Sequence, residues 1–107
     1  MQKIEQLIEA ANQNDLMRMA SLINSGIDIN RANSHGITPL MQAAIRGHIA
    51  AVEMLLQAGA NTHKTNSTGM DALQLAKNFN HQHIIQRLNQ SLTTLNVNNL
   101  DLNQHLF

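Results

Sequence analysis

Six histidines, His35, His48, His63, His81, His83 and His105, are the residues best equipped for chemistry in this chain. Imidazole exchanges protons near neutral pH and binds metals. A metal site needs several such side chains converging on one point. His81 and His83 are two residues apart, a spacing at which helical side chains do not face each other, and His105 sits far away in a C-terminal tail. No carboxylate pair or His-Glu-x-x-His spacing supports them. Ser21, Ser25 and Ser91 fall in helical or capping contexts, with no nucleophile elbow, phosphate loop or converging acid–base pair nearby. Cysteine is absent, so neither a thiolate metal site nor a disulfide framework is available. These residues predict no enzyme, no metal and no cofactor.

The elements around them must therefore do something other than position a reaction. The 107 residues amount to one domain with little stability to spare. Seven Lys and Arg balance seven Asp and Glu, and the cations, among them Lys3, Arg18, Arg46, Lys64 and Arg87, are scattered. The phosphate-neutralising face of a nucleic-acid binder is missing. The start, Met1-Gln2-Lys3-Ile4-Glu5, is polar with an early acid, and no segment is apolar enough for a signal peptide or a membrane span. A soluble cytoplasmic protein without a membrane partner is expected. Asn and Gln are abundant, and Phe79 and Phe107 are the two aromatic side chains apart from histidine. Regularly placed apolar residues, 43% of the chain, argue against disorder over residues 1–88.

That regularity is a repeat. At an offset of 33, Gly36 meets Gly69, Leu40 meets Leu73, Ala43 meets Ala76, His48 meets His81, Val52 meets Ile85 and Leu55 meets Leu88. In the other direction Leu7 meets Leu40, Ala10-Ala11 meets Ala43-Ala44, Leu22-Ile23 meets Leu55-Leu56 and Gly26 meets Gly59. Each unit reads as two short helices. In the middle unit Thr38 is the N-cap and Pro39 the first helical residue. Leu40, Ala43 and Ala44 form a close-packing face, and Gly47 makes the turn. Val52, Leu55 and Leu56 line the second helix, which Gly59 closes. The third unit begins instead with a capping box of Asp71 and Gln74 and a staple of Met70 with Leu75. Asn14 and Asn80 stand where Gly47 turns the middle unit.

Gly36-Ile37-Thr38-Pro39-Leu40, Ala43-Ala44, Gly47-His48 and Leu55-Leu56-Gln57-Ala58-Gly59-Ala60-Asn61 resemble the ankyrin-repeat consensus, over about residues 3–88. The resemblance implies an all-α solenoid of stacked helix–turn–helix units with short hairpin loops. Unit boundaries fall near 1–32, 33–65 and 66–95. Lys3, Gln6, Glu9 and Asn12 read as a polar cap on the first unit, and Lys77, Gln82 and Gln86 on the last. The family's usual histidine after Thr-Pro-Leu is Met41 here, and Gln74 in the third unit, so hydrogen bonding through it is expected to be weaker.

The resemblance further implies a partner-binding face built from hairpin tips and first helices. At matching positions it comprises Asn12 and Gln13; Ser34, His35, Ile37, Ile45 and Arg46; and Ser67, Thr68, Met70, Asn78 and Phe79. Ile37, Ile45, Met70 and Phe79 are apolar where exposure is expected, the mark of a contact site; against this, Met70 serves as a staple and Phe79 packs under the tail. His48 and His81 occupy the family's Gly-His position, where the role is structural.

Leu92 stands where the third unit's closing glycine belongs, and Ile84, Ile85, Leu88, Leu92 and Leu95 continue a helical spacing. The last helix is expected to extend to about Leu95. The tail, residues 96–107, either covers the open end of the stack, docks on a partner or a second copy to give a homodimer, or is disordered. The function expected is a non-enzymatic module that binds another protein on its concave face. Two alternatives are an immunity- or antitoxin-type neutraliser of a dedicated toxin, whose activity would be binding itself, and a scaffold self-associating through the tail.

Overall fold

The computed structural model describes residues 2–90, which form six helices and no strand. They are α1 (Lys3–Gln13), α2 (Leu16–Asn24), α3 (Pro39–Arg46), α4 (Ile49–Gln57), α5 (Ala72–Asn78) and α6 (residues 82–90). The first helices α1, α3 and α5 alternate with the second helices α2, α4 and α6. The predicted all-α repeat solenoid is what forms. Leu92, Leu95 and the tail 96–107 lie outside the described residues.

Local chemistry sets the helix ends. The Thr38 hydroxyl accepts from the Met41 amide at 3.3 Å, and Pro39 fills the first turn. Asp71 accepts from the Gln74 amide at 2.9 Å, while the Gln74 side chain accepts from the Asp71 amide at 3.1 Å. Each first helix closes in the same way. A residue in the left-handed region, Asn14, Gly47 or Asn80, is followed by an amide that reaches back five residues. Those bonds are Asp15 to Ala10, His48 to Ala43 and His81 to Ala76, at 2.9, 3.0 and 2.9 Å. Asn tolerates this conformation because its short amide bonds locally. Gly59 closes α4 with the matching pair, Ala60 N–H to Leu55 O and Gly59 N–H to Leu56 O.

Asparagine also folds the two hairpin tips. Asn33 Oδ1 accepts from the amides of His35 and Ile37, and Asn66 Oδ1 from those of Thr68 and Met70. The tips stack on one another: the Ser67 amide donates to the His35 carbonyl at 3.2 Å. Gly36 permits this approach, because a Cβ there would stand 2.8 Å from the Ser67 nitrogen.

The units pack through α1 on α3, α3 on α5 and α2 on α4. Ala10, Ala11, Ala43, Ala44 and Ala76 are fully buried, and such small side chains let neighbouring helices approach closely. Leu7, Met19, Leu40, Val52 and Leu55 fill the rest of the core. At the equivalent positions of the last unit, Leu73 and Ile85 are only half-buried. There Gln74 and Lys77 stand exposed in place of the buried Met41 and Ala44. At the opposite end the exposed Arg18 replaces the buried Ala51 and Ile84. Both terminal units thus turn polar groups outward, as a stack of finite length requires. Of the predicted capping residues, Lys3, Glu9, Lys77, Gln82 and Gln86 are exposed, whereas Gln6 and Asn12 are half-buried.

Met41, in place of the usual histidine, is buried as core. Other residues supply the bonds between units. Gln42 Nε2 donates to Asn12 Oδ1 at 2.8 Å. Asn30 Oδ1 accepts from the Asn61 amide at 2.7 Å, and the Asn30 carbonyl accepts from Lys64 Nζ at 2.7 Å. Arg87 on α6 pairs with Glu53 on α4.

Candidate partner-binding surface

Two of the six histidines are structural. His48 Nε2 lies 3.0 Å from the Asn12 carbonyl, and His81 Nε2 lies 2.8 Å from the Ile45 carbonyl. A carbonyl only accepts, so in each case Nε2 carries the proton and donates. Asn12 and Ile45 sit in the last turns of α1 and α3, where helix carbonyls lack intrahelical donors. Each histidine therefore caps the preceding unit's first helix from the next unit. His81 reaches its carbonyl across Gly47, where a Cβ would stand 2.6 Å from the ring. Among the described residues no three His, Asp or Glu side chains are grouped to hold a metal ion.

The predicted contact residues form rows along the stack. Gln13, Arg46 and Phe79 occupy equivalent positions at the ends of α1, α3 and α5, and all three are exposed. The Arg46 guanidinium has no hydrogen-bond or ion-pair partner among the described residues. Phe79 is 53% exposed and stacks on the His81 ring, with centroids 6.4 Å apart and planes 13° from parallel. Since His81 is tied to the Ile45 carbonyl, the Phe79 ring is held against an anchored neighbour. Ser34, His35, Ser67 and Thr68 are exposed on the hairpin tips, and Asn78 is exposed beside Phe79.

The expected row of exposed apolar side chains is corrected in part. Ile37, Ile45 and Met70 are half-buried and pack against the core. Asn12 is half-buried too, with its carbonyl taken up by His48 and its side chain by Gln42. Two large apolar side chains exposed among the described residues fall outside the predicted set. Met17 on α2 is 87% exposed and Ile49 on α4 is 39% exposed. Met17 was legible as an outlier, since its equivalents are Ala50 and His83.

Among the described residues, two open surface depressions bring no catalytic groups together. One of about 400 Å³ lies between α1 and the first hairpin, lined by Gln2, Lys3, Ile4, Ile27, Asp28 and Arg31. A second of about 420 Å³ lies at the last unit and is lined by Thr68, Gly69, Met70, Gln74, Lys77 and Asn78.

The family model for ankyrin repeats in three copies matches residues 7–101. The chain belongs to the ankyrin-repeat family. The chain also resembles a solved structure from Bdellovibrio bacteriovorus, the predatory endopeptidase Bd0816 in complex with the immunity protein Bd3460. One chain of that complex is 34% identical, with a TM-score of 0.75. The match covers 78% of this ankyrin protein and 44% of that chain, so less than half of the neighbour's length is represented. No curated protein matches the sequence. No helix among the described residues is long and apolar enough to cross a membrane.

Proposed function

We propose that this ankyrin protein is a non-enzymatic module that grips one partner protein on the concave face built from the hairpin tips and first helices. The observation that carries this reading is the exposed row Gln13, Arg46 and Phe79, in which a guanidinium without a partner among the described residues and an aromatic ring stacked on His81 stand one unit apart. Arg and aromatic side chains dominate the energetics of protein interfaces. A ring already held in place loses little conformational freedom when it is buried.

A finer reading is that the partner is a hydrolase and that binding neutralises it. What favours this is the likeness to a chain in the complex of an endopeptidase with its immunity protein. The test is affinity capture from the native cell lysate with the intact protein and with an Arg46→Glu, Phe79→Ala variant, followed by mass spectrometry. One protein should be recovered in stoichiometric amount and fall by about 30-fold with the variant, as loss of a hot spot implies. Equal recovery with a variant of unchanged circular dichroism moves the interface off this face. If the recovered protein is a hydrolase whose turnover is unaffected by saturating ankyrin protein, the neutraliser reading fails and the binding reading stands.

A further inference from the structure

Among the described residues the large exposed apolar side chains are Met17, Ile49 and Phe79, one in each unit. Each stands within three residues of the left-handed residue that turns its own unit, Asn14, Gly47 or Asn80. The hairpin tips present Ser34, His35, Ser67 and Thr68 instead. The turns form one continuous edge. His48 of the second unit bonds the Asn12 carbonyl beside the first turn, and His81 of the third bonds the Ile45 carbonyl beside the second. Because those bonds tie neighbouring turns together, little order has to be imposed when another surface is pressed against the edge.

The charge on this edge is one-sided. Within four residues of the three turn residues stand three cations, Arg18, Arg46 and Lys77, and one acid, Asp15, in a chain whose formal net charge is zero. All three cations are exposed, and their charged ends have no hydrogen-bond or ion-pair partner among the described residues. The Asp15 carboxylate is engaged as the cap of α2, accepting from the Arg18 amide at 3.2 Å. Every unit sets its exposed apolar side chain within three residues of a cation: Met17 with Arg18, Ile49 with Arg46, and Phe79 with Lys77. The complement of such an edge is a surface that mixes apolar side chains with carboxylates. A second copy turned onto it would bring like charges together, and residues 91–107 hold a single acid, Asp101.

We infer that the partner protein presents an acidic amphipathic segment, and that this segment lies along the turn edge. Its apolar side chains cover Met17, Ile49 and Phe79, and its carboxylates pair with Arg18, Arg46 and Lys77. This rests on the partner-binding reading and carries the contact from the row of Gln13, Arg46 and Phe79 over the turns to the starts of α2 and α4.

Photocrosslinking in native cell lysate tests it. One intact protein carries Met17→p-benzoylphenylalanine on the edge, and another carries Ser34→p-benzoylphenylalanine at a hairpin tip. Both should join the same protein, and the peptide attached to position 17 should be rich in Asp and Glu. With that protein purified, Arg18→Glu should weaken binding about tenfold and Arg18→Lys by no more than about twofold, at unchanged circular dichroism. Capture from position 34 alone would confine the partner to the tips, overturning the inference and leaving the binding reading in place. Capture from position 17 alone would keep the edge and overturn the concave face, and capture from neither would overturn both. Equal affinity of the Arg18→Glu protein would overturn the charge pairing. A neutral or basic peptide at position 17, a second copy, or a peptide from residues 91–107 would assign the edge to another occupant and overturn the inference. Cosedimentation of the purified protein with phosphatidylglycerol vesicles would do the same.

Discussion

Gly47→Ala separates two reasons for a glycine. The first is backbone: at φ +77° an alanine pays about 1–2 kcal/mol in the left-handed region. The second is space: the new Cβ would stand 2.6 Å from His81 Cε1 and 2.7 Å from Nδ1, so the ring must move. Moving it breaks the 2.8 Å bond to the Ile45 carbonyl, at about 0.5–1.5 kcal/mol. The sum is about 1.5–3.5 kcal/mol, against a total stability of about 5–15 kcal/mol. Gly59→Ala is the control: φ is +94° and nothing lies within 4 Å, so the backbone component alone should appear. Urea unfolding with a common m-value measures both. In a His81→Ala background the excess cost of Gly47→Ala over Gly59→Ala, about 1 kcal/mol, should vanish. Equal costs for the two glycines, or an excess that survives removal of the ring, would refute the claim that Gly47 makes room for a bond between units.

Leu55→Ala should cost about 2–5 kcal/mol in the same urea assay, since the side chain is fully buried. A midpoint shift within error would show that Leu55 is not core. Arg46→Glu with Phe79→Ala should change the melting temperature little, because exposed substitutions move stability by about 0.5 kcal/mol, while lowering affinity for a purified partner in calorimetric titration. Unchanged affinity would place the interface elsewhere. Deleting residues 96–107 should lower the melting temperature by several degrees, at about 4–8 °C per kcal/mol for a domain of this size. A scan that overlays the full-length protein would show that the segment adds nothing to the free stack.

The features legible in the sequence were those that local chemistry decides. Asn14, Gly47 and Asn80 were readable as turns because few residue types accept a left-handed backbone, and all three adopt it. Thr38-Pro39 and the Asp71–Gln74 box were readable because a helix start needs an acceptor for its free amides. What escaped depends on a neighbouring unit. Ile37, Ile45 and Met70 read as exposed from the repeat pattern but are half-buried against the core. The bonds of His48 to Asn12 and His81 to Ile45 span 36 residues, and no local pattern announces them. Phe79 is 53% exposed with respect to the described residues, and its stacking on His81 needed the geometry.

The bonds from His48 to Asn12 and from His81 to Ile45 are the same joint made twice, 33 residues apart. The middle unit therefore carries both halves of that joint, a histidine reaching back and a carbonyl offered forward. An in-frame duplication of 33 residues, begun anywhere in this unit, would bring a complete joint with it. A deletion of the same length would leave the flanking halves matched. Chain length in such a protein can change by whole steps while this joint is inherited intact.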